Sequence, residues 1–202
     1  MSIKRQRLNP EESRARAIEA ARALLIEHGP QAITLKAVAA RIGQSHANLL
    51  HHFGSAAGLH AGLAEHMAER ITATIADAAL KARRGETDLA TVVDLTFDAF
   101  DREGAGALTS FAILTDNRAI LIPILRGIHR LVDTLASDVP DRPVAEATLA
   151  IVLAALGDSL MGAEITKELG LKRRCARDLA LAQLIAIAGD GASAQRGEHA
   201  VS

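Results

Sequence analysis

With 202 residues, 49% of them hydrophobic, the chain is able to bury a real core in one or two compact units, which excludes a disordered protein. Aromatics make up only 2%, with neither Trp nor Tyr, so the core must be built from Leu, Ile, Val and abundant Ala, a mixture suited to closely packed helices. The net charge of −1 conceals a division: residues 1–55 hold eight Lys or Arg against four Glu, a net +4, and the remainder carries −5, so only the first quarter suits a polyanion. A single cysteine excludes an intramolecular disulfide, and no basic-then-apolar leader opens the chain, which points to the cytoplasm. The apolar stretch 179–188 is interrupted by Gln183 and is too short to cross a bilayer, so no membrane partner is expected.

In chain order, nearly every segment reads as helix. Residues 10–28 open with Pro10, Glu11 and Glu12, which suit a first turn, continue with Ile18, Ala21 and Leu25 on one face, and stop at Gly29 and Pro30. Thr34 caps a second helix whose Leu35, Val38, Ala39 and Ile42 form one buried stripe, ended by a turn at Gly43. Ser45 caps a short third helix ending near His52, with Leu49 and Phe53 on one side and Ala47, Asn48 and His51 on the other. A long fourth helix from Ser55 carries Leu59, Leu63, Met67 and Ile71 at successive i+4 steps and fades near 83–85. Further helices are expected over 88–102, 107–116, 119–137, 143–169 and 171–188, with Pro123 beginning or kinking its helix and a mobile tail after Gly189. No useful stretch alternates with period two, so no strand is expected. The fold class is therefore all-α: a three-helix N-terminal domain over 1–54, a larger helical domain over 55–189 and a flexible tail over 190–202, about nine helices in all.

Two short helices separated by Gly43 in a basic region have the outline of a helix-turn-helix, whose second helix enters the major groove. An ordinary helical hairpin with surface histidines is the competing reading, but the short second helix, the glycine turn and the run His51, His52, Phe53 favour the former. The stretch from Thr34 through Leu35, Lys36, Val38, Gly43, Gln44 and Ser45 to His51, His52, Phe53 and Ser55 resembles the DNA-binding segment of the TetR family of bacterial regulators. The resemblance runs from about Arg14 to Leu63. It implies that Thr34 and Ser45 contact phosphates, that Gln44, His46, Ala47 and His51 face bases, and that Asn48 and His52 position the backbone. The chain departs from the family at Leu50, where a phosphate-binding Tyr is usual, and at Ala56, where a Lys is usual; both differences reduce the salt-dependent contribution to affinity.

Elsewhere, catalytic patterns are missing: no nucleophile elbow, phosphate loop, H-E-x-x-H or dinucleotide fingerprint occurs, and an enzyme is not expected. His28, His46, His51 and His52 do not make a metal site, since adjacent helical histidines point about 100° apart, and no cofactor is expected. Cys175 follows Lys172, Arg173 and Arg174 but reads as an inert core thiol. Leu149, Leu153, Leu156 and Leu160 form one stripe of the helix over 143–169, and Ala155, Ser159 and Gly162 form a small-residue stripe. The resemblance implies that the last two helices build a homodimer. Phe97, Phe100, Phe111, Asn117, His129 and Asp158 are candidate contacts for a small-molecule effector, with Ile113, Leu114, Ile124, Ile128, Leu160 and Asp94 as further candidates. The expected function is a DNA-binding regulator, a repressor released from an inverted-repeat operator in double-stranded DNA by that effector. The alternative is a dimeric ligand-binding or scaffold protein without specific DNA binding.

Overall fold

A computed structural model describes residues 9–137 and 143–198. Helix α1 is Pro10–His28, α2 Leu35–Ile42, α3 His46–Phe53, α4 Ala56–Arg83, α5 Leu89–Asp101, α6 Ala105–Leu114 and α7 Arg118–Ala136. They are followed by α8, Val144–Glu168, and α9, Cys175–Glu198, with a single 3-10 turn at Pro30–Ala32 between α1 and α2. No strand occurs among the described residues, and the fold is all-α.

Local chemistry explains the boundaries. Asn9 and Glu12 form a reciprocal capping box, with the Glu12 amide on Asn9 Oδ1 at 2.8 Å and the Asn9 amide on Glu12 Oε2 at 3.1 Å. Thr34, Ser45, Ser55 and Asp88 cap α2, α3, α4 and α5, each side chain accepting from the backbone amide three residues on. Pro123 lies within α7 rather than at its start.

Three departures from the sequence-based expectation stand out. Helix α6 starts at Ala105, two residues early, because Gly104 takes the left-handed conformation at its N-cap. Helix α8 contains a π turn at Asp158–Gly162. Helix α9 begins four residues later than expected, after Gly170 turns the chain at φ 65°, and runs past residue 188 to Glu198. No proline interrupts that last stretch, and Ala192, Ala194, Gln195 and Arg196 favour helix.

One continuous apolar cluster joins the first four helices to the rest: Ala17, Ile18, Leu24, Ile33, Val38, Leu49, Leu59 and Leu63 belong to the same core as Leu108, Ala112 and Ile120 of α6 and α7. A second cluster unites the C-terminal half of α4 with α5, α7 and Val144, and a third joins α5, α8 and α9. Polar forks close the third: Arg173 Nη1 reaches both carboxylate oxygens of buried Asp158 at 2.6 and 2.7 Å, and Arg177 reaches Asp98 at 2.7 Å and Asp94 at 3.2 Å. Arg174 also bonds Asp94, at 3.3 Å. Among the described residues α8 is the one helix long and apolar enough, by length and composition, to cross a bilayer. It nonetheless buries Thr148, Ile151, Ala155 and the paired Asp158 against the protein. Its small-residue stripe, Ala155, Ser159 and Gly162, is used inside the chain: a Cβ at Gly106 of α6 would collide with Ser159 Oγ.

Candidate functional site

Helices α2 and α3 form a bihelical unit with one inner and one outer face. Leu35, Val38 and Ala39 of α2 and Leu49 and Phe53 of α3 are buried with Ala17, Ile18 and Ala21 of α1, and the Arg14 guanidinium covers the Phe53 ring at 4.8 Å. Between the helices, Gly43 adopts φ 66°, ψ 33°, a left-handed C-cap that a side chain would strain, and its amide returns to Ala40 O at 3.3 Å. A second glycine fixes the other end of α3. A Cβ at Gly58 would overlap the Phe53 carbonyl oxygen, so α4 packs this closely on the end of α3 only because position 58 has no side chain. Gly58→Ala is expected to lower stability by about 1–3 kcal/mol and to displace α3. Thermal unfolding together with DNA binding checks this; an unchanged midpoint with unchanged DNA affinity refutes the constraint.

The outer face carries the residues singled out from the sequence. His46, Ala47 and His51 are exposed, and His52 is half-buried with its ring centroid 5.9 Å from that of His51. Thr34 Oγ1 accepts from the Ala37 amide at 3.1 Å and Ser45 Oγ from the Asn48 amide at 3.2 Å, so each hydroxyl sits beside the amino end of a helix, where backbone N–H groups lack helical acceptors. Gln44 differs: its amide nitrogen donates to buried Ser13 Oγ at 2.8 Å, and its oxygen accepts from Asn48 Nδ2 at 2.6 Å. Gln44 and Asn48 therefore brace α3 on α1 as well as standing near the outer face. Arg41 is also committed, gripping Glu27 at 2.5 and 2.7 Å; those hydrogen bonds hold the Glu27 carboxyl below its usual range. Leu50 and Ala56 are exposed, so neither residue is needed for packing.

His60 of α4 ties this unit to the remainder. Its Nε2 donates to the Ile33 carbonyl at 2.8 Å, and its ring meets Phe111 of α6 edge-on at 6.1 Å. Behind α6 lies a cavity of about 410 Å³ between α4, α5, α6, α7, α8 and α9. Its walls are aliphatic, with Met67, Ile71, Ile75, Leu108, Leu131 and Ile151 prominent, and four threonines interrupt them: Thr72, Thr96, Thr109 and Thr148.

Of the effector contacts expected from sequence, Phe100 lines this cavity, as do Ile124 and Ile128. The others stand elsewhere. Phe97 is buried beneath the Arg177 guanidinium at 5.4 Å, Phe111 packs on His60, and Asp158 is bound by Arg173. Asn117 occupies the turn before α7, and exposed His129 lies 3.5 Å from Asp133. Asp94 is taken up by Arg174 and Arg177, and Ile113, Leu114 and Leu160 face outward. The threonines were missed; the available signal was a hydroxyl set among aliphatic residues on several different helices.

A glycine-turned pair of short helices, capped by hydroxyl residues and presenting a polar second helix, defines a helix-turn-helix DNA-binding protein. Residues 17–61 match the family model for bacterial regulatory proteins of the tetR family. Over those residues, from within α1 to the start of α4, the chain is similar to the helix-turn-helix DNA-binding segment of that family of transcriptional regulators. No curated protein matches the chain.

Proposed function

We propose that this protein is a homodimeric repressor that leaves an inverted-repeat operator when a small molecule fills the cavity. The observation that carries the reading is the continuity of one core from the helix-turn-helix to the cavity wall: Leu49 and Leu59 share it with Leu108 and Ala112, next to which Thr109 lines the cavity. A ligand that favours one packing of α6 against α4 thereby biases the placement of α3, and DNA and ligand oppose each other through the same equilibrium.

Residues 1–54 serve in this reading as the DNA-reading unit and 55–189 as the dimerising and effector-binding unit. Thr34, Ser45, Asn48 and His52 hold the phosphate backbone, while His46, Ala47 and His51, with Gln44 at their edge, read bases. Dimerisation is supported by α8 and α9, which leave Leu149, Leu153, Leu160, Met161, Leu179 and Ile185 exposed, apolar side chains that a second copy would cover. The two recognition helices of such a dimer reach half-sites about one helical turn, roughly 34 Å, apart or somewhat more.

Sequencing the genomic fragments that the purified protein retains tests the reading. An inverted repeat shared by those fragments supports it. Retention without any shared sequence overturns the operator in favour of a ligand-binding or scaffold dimer, the alternative that Leu50 and Ala56 keep open.

A further inference from the structure

We propose that the cavity takes an uncharged, flexible aliphatic molecule bearing one carbonyl oxygen, and that this oxygen accepts a hydrogen bond from Thr109; the inference rests on the cavity being the effector site. Three of the four cavity threonines have already placed their hydroxyl protons. Thr72, Thr96 and Thr148 each donate to the carbonyl four residues earlier, Ala68 at 2.7 Å and Val92 and Val144 both at 2.8 Å. On α6 itself the neighbouring Ser110 does the same to Gly106 at 2.8 Å. Thr109 does not. Its residue is 7% exposed, its Oγ1 is buried, and it is the one such side-chain polar atom without a hydrogen-bond partner among the described residues.

A buried donor left unsatisfied costs free energy that a suitable acceptor restores, and Thr109 lines a space large enough for a small molecule, toward which a χ1 rotation that breaks no existing hydrogen bond turns the hydroxyl. A carbonyl oxygen is the matching group, because it brings an acceptor and no further proton to be placed. The rest of the molecule follows from the walls. Phe100 is the single aromatic side chain among the lining residues, so a planar cation would find little to stack on. Among the described lining residues Arg83 is the single ionisable one, and it stands exposed at the end of α4, so a charged group held deeper would be stripped of water without a counter-charge from them.

The test is calorimetric titration of the full-length protein with straight-chain methyl ketones of increasing length; with neither Trp nor Tyr, the chain offers little intrinsic fluorescence to follow. Affinity is expected to rise about fourfold per added methylene until the cavity is full. Chain-matched carboxylates, alkylammonium ions and alcohols should bind more weakly. Thr109→Val should weaken ketone binding about tenfold while leaving a chain-matched alkyl bromide unaffected, and Thr109→Ser should retain the ketone. Absence of ketone binding, equal ketone affinity in Thr109→Val and the parent protein, or tighter binding of the carboxylate or alcohol overturns the proposal. Adding the same ketones to the protein–DNA complex separates this proposal from the broader reading. Ketone heat without DNA release leaves the ligand class standing and overturns the effector role, whereas DNA release by other compounds without ketone heat overturns the ligand class alone.

Discussion

Replacing Leu149 and Leu153 together by glutamate is expected to give a monomer of about 21.3 kDa in light scattering and to lower operator affinity by about a hundredfold or more. Both side chains lie one turn apart on α8, 61% and 58% exposed, so the monomer fold has little to lose from the exchange. In a two-fold interface each carboxylate would be desolvated opposite an apolar partner surface, and every substitution counts twice. Operator affinity falls because two linked half-site contacts become independent ones. A dimer mass retained with unchanged DNA binding would place the interface elsewhere.

His51→Ala should weaken operator binding by about 1–3 kcal/mol per half-site contact and leave random DNA nearly unaffected. His51 is exposed in the last turn of α3, its ring tilted against that of His52. Thr34→Ala should instead weaken both DNAs nearly equally, since it removes a hydroxyl from the amino end of α2 and also the cap on the Ala37 amide. Gln44→Ala should act through α3 as a whole, because the Gln44 amide braces Ser13 and Asn48. Titration of one operator and one scrambled duplex at several salt concentrations distinguishes these outcomes. Indistinguishable losses for His51→Ala and Thr34→Ala would displace the recognition surface from α3.

The N-terminal four helices were legible because their punctuation is local. Asn9, Thr34, Ser45 and Ser55 each satisfy a backbone amide three residues away, and Gly43 supplies a backbone conformation that few residues adopt, so caps and turn are written within a few positions. The cavity was not legible in the same way. Whether Phe97 or Asp158 faces it depends on which distant helix covers each one, and those partners lie far along the chain, Arg177 over Phe97 and Arg173 on Asp158, while Thr109 Oγ1 finds no hydrogen-bond partner among the described residues. Polar residues in apolar surroundings were reasonable candidates for binding a ligand, but an aspartate so placed had already found an arginine. The small-residue stripe of α8 marked a close approach correctly, and the helix that comes close is α6 of the same chain.

Arg177 pins the first turn of α9 to Asp94 and Asp98, and Arg173 and Arg174, in the turn just before it, bind Asp158 and Asp94, so α9 enters the cavity wall from a charged anchor. Guanidinium forks fix both distance and direction, whereas an aliphatic seam permits one helix to shear along another at little cost. Another wall, α4 against α7, meets the cavity through Met67, Ile71, Ile124, Ile128 and Leu131, a seam of that second kind. Under the proposed repressor reading, a guest that crowds the space presses on this aliphatic seam rather than on charged anchors, and α4, the stem of the reading head, carries the displacement toward α3.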